Sequence, residues 1–323
     1  MVIDRVTFAE ARMSRIVITD CDHPTIDIER AIFVRAGYEL ELGQCRTANE
    51  VIAAGAGAVA LLAQYAPITE AVLAALPSVR VLGTYGASLD NIELPAAARR
   101  GLRVVNVPDY GVDEVADHTV GLILALTRGI VPLDRAIHAG IWDFRSGGEL
   151  RRSSGQQVGI IGLGRIGSAV ARRALALRFR VVAADPRRPA VEGVPLVELE
   201  GLLATSDVVS VNTRLDPSTR HLLDAAAFAR MKPGAYLVNT SRGGLIDQAA
   251  LVEALRSGHL GGAALDVLER EPIAPDDPLL ALPNVLLTPH AAFYSRESLV
   301  EMKRRAAEAI TAALTDVGAV GQA

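Results

Sequence analysis

Gln157-Val158-Gly159-Ile160-Ile161-Gly162-Leu163-Gly164-Arg165-Ile166-Gly167 is the stretch that decides the fold. A short apolar strand pattern runs directly into glycines spaced as Gly-x-Gly-x-x-Gly, and a helical pattern follows. Such a triplet alone is weak, since glycine-rich turns are common; with a strand before it and a helix after it, it reads as a dinucleotide-binding turn. Gly162 permits the tight turn, Gly164 lets the backbone approach a pyrophosphate, and Gly167 lets the helix pack close to the sheet. Amides at the helix start, those of Arg165 and Ile166 among them, then face the phosphates. The next strand pattern, Arg180–Ala184, ends at Asp185, about 20 residues beyond the glycines. A carboxylate there accepts ribose hydroxyls and repels a 2′-phosphate, so NAD(H) is expected over NADP(H). Arg187 and Arg188, just beyond, would soften that preference.

The fingerprint lies near the middle of a 323-residue chain, so a whole α/β domain is expected before it. There, strand patterns at Arg15–Thr19, Ala58–Leu62, Val79–Leu82 and Arg103–Val105 alternate with helical ones at Ile26–Ala36, Glu50–Ala54, Thr69–Leu76 and Asn91–Arg100. Asn106-Val107-Pro108-Asp109 breaks the alternation and marks a crossing between domains. Val112 to about Arg128 is a helix with few charges, a sign of burial on several sides or at a subunit contact. Further strands are expected at Val208–Val211, Ala235–Asn239, Gly262–Asp266 and Val285–Thr288, and a last helix at Glu297 to about Leu314. The fold class predicted is α/β: two doubly wound parallel-sheet domains with a cleft between. One is a Rossmann cofactor domain over 108–292. The other is a flavodoxin-like substrate domain from 1–107 plus 293–323.

Composition narrows the function. Half of the residues are hydrophobic, enough for two cores, yet no apolar run is long enough to span a bilayer. Met1–Ser14 mixes charges with apolar residues and reads as a short tail rather than a secretory signal. The two cysteines, Cys21 and Cys45, have neither metal-ligand nor disulfide spacing, which fits a reducing cytoplasm and predicts no metal. A net charge of −4 argues against nucleic-acid binding. Arginines crowd the stretch from Arg145 to Arg188, either as a solvated basic face or as a positive field around a phosphate-bearing cofactor. Only Lys232, in a turn, and Lys303, in the last helix, are lysines, so Schiff-base chemistry has no evident candidate.

Three polar residues sit at expected strand ends in the C-terminal half. Arg242 lies in Val238-Asn239-Thr240-Ser241-Arg242-Gly243-Gly244, Glu271 in Asp266-Val267-Leu268-Glu269-Arg270-Glu271-Pro272, and His290 in Thr288-Pro289-His290-Ala291-Ala292-Phe293. Arg clamps a carboxylate and polarises a ketone. His exchanges a proton with an alkoxide, and a neighbouring carboxylate orients its ring. Together they suit chemistry on a 2-oxo acid. Each has a plainer alternative: a core or surface histidine, a loop carboxylate before proline, an arginine capping a helix. His23, His118, His138, His221 and His259 show no such company and read as structural.

The segments Gly162–Gly167, Val238–Asp247, Gly262–Pro272 and Thr288–Phe293 resemble the signature blocks of the D-isomer-specific 2-hydroxyacid dehydrogenase family. Thr288–Ser295 is most similar to the branch containing the C-terminal binding proteins, where a tryptophan usually stands in place of Phe293. The resemblance implies an NAD-dependent oxidoreductase and a homodimer built around Val112–Arg128; charge and hydropathy, as above, predict no nucleic-acid or membrane partner. It gives Arg242 the substrate carboxylate and carbonyl, and it pairs His290 with Glu271 as acid/base. It puts Asp266 near the nicotinamide carboxamide and Thr213 and Ser241 along the cofactor. Tyr85-Gly86-Ala87-Ser88 resembles the loop whose amides hold the substrate carboxylate, with Phe293 nearby. Two positions depart: relatives near this branch commonly carry arginine at Thr84 and glycine at Ser88. Losing that arginine removes a charge-assisted contact worth about 1.5–3 kcal/mol, and Ser88 would be strained if its φ were positive. The runner-up implied by the branch is an NAD(H)-sensing dimeric scaffold with weak or no turnover; an amino-acid or formate dehydrogenase ranks below it.

Overall fold

Each strand pairing is parallel, because a helix follows nearly every strand and must cross back over the sheet before the next begins. The computed structural model describes residues 13–187 and 190–320; the tail expected at Met1–Ser14 falls largely, and Arg188 wholly, outside them. The chain divides into two compact units. One runs up to Tyr110 and resumes at Arg296; the other is Gly111–Ser295.

The first unit holds β1 (Ser14–Ile18), α1 (Asp27–Arg35), β2 (Tyr38–Leu42), α2 (Ala48–Gly55), β3 (Ala58–Ala63), α3 (Glu70–Ala75), β4 (Val81–Thr84), α4 (Leu94–Arg99) and β5 (Arg103–Val105). Its sheet has the order β2-β1-β3-β4-β5. Alternate residues of β1 and β3 feed opposite cores: Ile16, Ile18 and Leu62 pack on one face, Val17 and Leu61 on the other. Burial on both faces explains why these strands read as continuous apolar runs. The sequence pattern missed β2. Glu39 and Glu41 alternate along this mostly exposed edge strand, where charge discourages pairing with another chain.

The second unit opens with α5 (Val112–Thr127) and α6 (Ile130–His138). It continues through β6 (Gln157–Ile161), α7 (Arg165–Ala176), β7 (Arg180–Ala184), α8 (Leu199–Thr205), β8 (Val208–Val211), α9 (Ala225–Arg230), β9 (Ala235–Asn239), α10 (Gln248–Arg256), β10 (Leu260–Leu265) and β11 (Val285–Leu287). Sheet order is β11-β10-β9-β8-β6-β7, so the winding reverses between β6 and β8, where open α/β sheets bind ligands. α5 buries Ala116, Val120, Leu122 and Ile123 in a core shared with α7 and the sheet. Unlike α5, the unanticipated α6 buries no residue. Beside it Ile141, Trp142 and Phe144 are exposed, Trp142 to 91%.

The chain then returns to the first unit as α11 (Arg296–Val320), whose Met302, Ala306, Ile310 and Leu314 complete one of its two cores. This helix also carries a buried lysine, which the sequence did not mark as such. Lys303 is buried, its ammonium lies 3.6 Å from the fully buried Glu29, and it donates to the Thr25 carbonyl. Among the described residues, no helix is long and apolar enough to cross a membrane, and no cluster of His, Cys, Asp or Glu is placed to hold a metal. Part of the arginine-rich stretch is paired within the fold: Arg145 with Asp143, Arg151 with Asp207, Arg173 with Asp113 and Asp117, Arg187 with Asp185.

Burial holds the His23 imidazole below its usual range, with Lys303 acting in the same direction against the opposing Asp22 charge. The unfolded chain therefore takes up this proton first as pH falls through about 6.5, so stability is present above that value and declines below it. Denaturant midpoints should drop between pH 7.5 and 5.5, and His23→Leu should flatten the drop. Identical slopes in both proteins would rule out His23 as its source.

Candidate active site

At the end of β6, Gly162 adopts φ 89°, and a Cβ there would lie 2.7 Å from the Asn212 carbonyl oxygen and 2.9 Å from the Thr213 amide. A Cβ on Gly167 would overlap the Gly162 carbonyl oxygen. These two glycines are required by the chain itself. Gly164 is not: the nearest atom to its absent Cβ is an Arg187 nitrogen at 3.8 Å. Its bareness preserves open space at the start of α7, where no side chain caps the first-turn amides. Open space, uncapped amides and the reversal of winding together fit the pyrophosphate of a dinucleotide. Arg165 is exposed at this turn, whereas Ile166 packs its side chain on the core.

Asp185 ends β7 as the sequence spacing demands. It is buried, accepting from the Leu163 amide at 2.8 Å and from the Arg187 amide and guanidinium at 2.9–3.3 Å. Burial pushes its carboxyl upward, but the Arg187 side chain and the two amides outweigh this and hold it below the usual carboxylate range. Asp185 therefore ties the two turns together. Ser241, at the end of β9, donates its hydroxyl to the Val211 carbonyl at 2.9 Å.

Arg242 follows Ser241 in extended conformation, and its carbonyl accepts from the fully buried Asn239 side chain at 2.9 Å. Gly243 is forced by packing: a Cβ would overlap the Leu268 backbone. That contact sets the segment carrying Glu271 against the loop carrying Arg242. Glu271 accepts from the Leu268 amide at 2.9 Å and from His290 Nδ1 at 2.7 Å. Burial pushes its carboxyl up; the bond and charge of His290, the Leu268 amide and the Arg242 charge overcome this and hold it below the usual range. A carboxylate fixed on Nδ1 leaves Nε2 as the nitrogen that can exchange a proton.

His290 takes a left-handed φ of 53°, which a non-glycine residue holds only when its surroundings impose it. Asp266 imposes it. Its backbone carbonyl accepts from the His290 amide at 2.8 Å, and its buried carboxylate accepts from the Thr288 hydroxyl and from the Ala291 and Ala292 amides at 2.6–2.9 Å. Phe293 then stands edge-on to the imidazole at 6.4 Å.

The sequence missed the carboxylate company of four histidines: His23 and His138 lie 3.3 and 3.4 Å from their near neighbours Asp22 and Asp134, and two others have distant partners. His118 on α5 meets the Thr288 hydroxyl at 3.1 Å and lies 3.7 Å from the Asp266 carboxylate. His221, also left-handed, meets Glu269 at 2.6 Å, and Glu269 accepts in turn from the Gln248 amide. The signal available was weak: alternation of acids and strand-end position, with partners far away in sequence.

Tyr85, Gly86, Ala87 and Ser88 belong to the first unit. Tyr85 turns its ring inward and is 6% exposed, so its side chain is no ligand contact. The Gly86 and Ala87 carbonyls accept from the Val107 amide and the Asn106 side chain, both at 2.8 Å. In trans peptides the N–H points opposite the C=O, so the Ala87 and Ser88 amides face away from these partners. Thr84 is buried, and its hydroxyl closes the turn onto the Ser88 carbonyl at 2.9 Å. Ser88 itself carries no positive φ; that conformation falls on Gly86, so the strain expected at Ser88 is absent.

A dinucleotide turn beside an Arg, Glu and His at neighbouring strand ends is the arrangement of a nicotinamide-dependent oxidoreductase. Comparison with known proteins agrees. Residues 120–292 match the family model for the NAD-binding domain of D-isomer specific 2-hydroxyacid dehydrogenases. A glyoxylate reductase of Thermofilum pendens is 40% identical over 254 residues, covering 75% of this chain and 74% of that one. A crystal structure of D-lactate dehydrogenase from Aquifex aeolicus, complexed with NAD and lactic acid, superposes with TM-score 0.84 at 26% identity, over 93% of this chain and 96% of that one. An acyclic imino acid reductase in complex with NADPH and D-Arg gives TM-score 0.82 at 27% identity, over 90% and 94%. The chain belongs to the D-isomer specific 2-hydroxyacid dehydrogenase family, NAD-dependent oxidoreductases acting on CH–OH groups.

Gly167→Ala should cost about 1–3 kcal/mol or more through overpacking against backbone and lower the thermal midpoint. Gly164→Ala should leave that midpoint unchanged while weakening NADH binding in a fluorescence titration. Equal destabilisation by both would mean that Gly164 serves packing instead.

Proposed function

We propose that this chain reduces a small 2-oxo acid to its D-2-hydroxy acid with NADH, and runs the reverse oxidation. The observation that carries the proposal is the His290 Nδ1 to Glu271 contact of 2.7 Å, which aims the opposite imidazole nitrogen outward. Bound NAD(H) supplies or takes the hydride at the 2-carbon. Arg242 binds the acid's carboxylate and polarises its carbonyl, and His290 gives the hydroxyl proton from Nε2 or recovers it. Glu271, held anionic, stabilises the imidazolium form needed for reduction. The Ala87 and Ser88 amides receive the carboxylate, and Phe293 supplies an apolar wall. Gly162, Gly164, Arg165, Ile166 and Gly167 line the pyrophosphate; Thr213, Ser241 and Asp266 line the rest of the coenzyme.

Asp185 supports NAD(H) over NADP(H), since a 2′-phosphate would meet its charge. The Arg187 guanidinium already on that carboxylate limits the margin, and one structural neighbour holds NADPH. The sequence of the Thr288–Ser295 loop supports placement near the C-terminal-binding-protein branch, but an intact His290–Glu271 pair favours turnover over a purely sensing role. Two buried free thiols suit a reducing cytoplasm.

The test is NADH oxidation against a panel of 2-oxo acids running from glyoxylate and pyruvate to branched and aromatic acids, repeated with NADPH. His290→Ala should lower kcat by about 10²–10⁴-fold with NADH binding retained, and Arg242→Lys should not restore what Arg242→Ala loses. Wild-type turnover in His290→Ala would refute the assignment.

We further propose that the homodimer expected around Val112–Arg128 is built instead on α6 and the segment after it, since α5 buries Val120, Leu122 and Ile123 in the core of its own unit. Exposed Ile141, Trp142 and Phe144 are typical interface anchors. A cavity of about 310 Å³, lined by Ala125, Leu126, Pro132, Tyr236, Val285 and Leu286 among others, can take an aromatic side chain from a second copy. Sedimentation should show a dimer that the double variant Trp142→Glu/Phe144→Glu dissociates; an unchanged mass excludes this surface.

A further inference from the structure

The core of the first unit holds an unusual concentration of polar groups directly behind the loop that follows β4. Glu29 on α1 is fully buried, and Lys303 on α11 is 4% exposed. The Tyr85 hydroxyl donates to Glu29 Oε1 at 2.6 Å, while Lys303 Nζ stands 3.6 Å from Glu29 Oε2. The His23 ring meets the Tyr85 ring edge-on at 5.1 Å. Three buried side-chain atoms lack a hydrogen-bond partner among the described residues, and two of them, Glu29 Oε2 and His23 Nε2, lie here. Burial, then the Glu29 charge, pushes the Tyr85 hydroxyl far up, so it remains a donor.

Stability is a poor reason to keep such a cluster. Desolvating an ion pair costs about as much as the pairing returns, and apolar replacements of similar volume are often neutral or stabilising. Leaving buried polar atoms unpaired adds to the cost. What the cluster does achieve is positional. Tyr85 is continuous with Gly86-Ala87-Ser88, its amide is held by the Ala63 carbonyl at 2.9 Å, and its hydroxyl is held by Glu29. The residue is anchored at both ends, and the two amides beyond it face away from Val107 and Asn106.

We propose that Glu29, Tyr85 and Lys303 are positioning residues that fix the Ala87 and Ser88 amides and so set affinity for the substrate's carboxylate. The inference rests on the 2-oxo acid reading above. It assigns the Glu29–Lys303 pair a role in substrate selection, with no part in coenzyme binding or proton transfer.

Tyr85→Phe removes one oxygen from a packed site and tests this directly. The KM for the best 2-oxo acid should rise 5-fold or more, with kcat and the KM for NADH within 2-fold of wild type. Glu29→Gln keeps an acceptor for the Tyr85 hydroxyl and should retain most of the affinity, whereas Glu29→Leu should lose it even if thermal stability is equal or higher. Hydrogen exchange supplies a readout without turnover. The Tyr85 and Val107 amides, bonded to Ala63 and Gly86 in the wild type, should exchange faster in Tyr85→Phe. A lowered thermal midpoint with unchanged KM for the acid would show a merely structural cluster and overturn the proposal. Should wild type turn over no 2-oxo acid, the function reading fails; unchanged exchange would then sink the positioning role separately.

Discussion

The site rests on what one buried aspartate accepts. Asp266, 2% exposed, draws the Thr288 hydroxyl and the Ala291 and Ala292 amides onto its carboxylate while its own carbonyl takes the His290 amide. Holding a non-glycine residue left-handed costs about 1–2 kcal/mol. Hydrogen bonds to a carboxylate return about 1.5–3 kcal/mol each, so the strain at His290 is outweighed several times over. Without that anchor the loop would relax, and the imidazole would lose the register that brings Nδ1 to Glu271. The acid/base pair is therefore built from backbone geometry first and side-chain chemistry second.

The same device recurs away from the acid/base pair. Asp185 joins the turns after β6 and β7, and Asp207 accepts from the Gln157 amide, Arg151 and Lys232 at the opposite ends of those strands. In both, burial raises the carboxyl and the surrounding donors more than reverse it. Some of the arginine-rich sequence, Arg151 and Arg187 among it, thus supplies counter-charge to buried aspartates. Arg187 stands at the meeting of the two uses: it neutralises Asp185 and also reaches the open space beside Gly164.

What could be read in the sequence was what is local. The glycine turn, Asp185 and the strand-end positions of Arg242, Glu271 and His290 follow from short spacings and from strands buried on both faces. β2 escaped because an exposed edge strand carries charges where a buried one carries apolar residues. The His118 contact with Thr288 and the Glu29 contact with Lys303 span most of the chain, and no periodicity encodes them. Tyr85 was placed in the right loop with the wrong orientation: one residue's pleat decides whether a ring faces ligand or core. The left-handed backbone at His290 and His221 was equally invisible, since nothing in a histidine advertises it.

The return of α11 to the first unit has a consequence for synthesis. Gly111–Ser295 is one uninterrupted stretch and possesses its whole core before the last helix leaves the ribosome. The N-terminal unit, translated earlier, must wait: the face of Ile16, Ile18, Leu62 and Val81 is only partly covered, by Phe33 of α1, until Met302, Ala306, Ile310 and Leu314 emerge. The first unit to be made is thus the last to be finished, and truncation within the final helix would expose an apolar sheet face to chaperones and proteases while leaving the coenzyme unit whole.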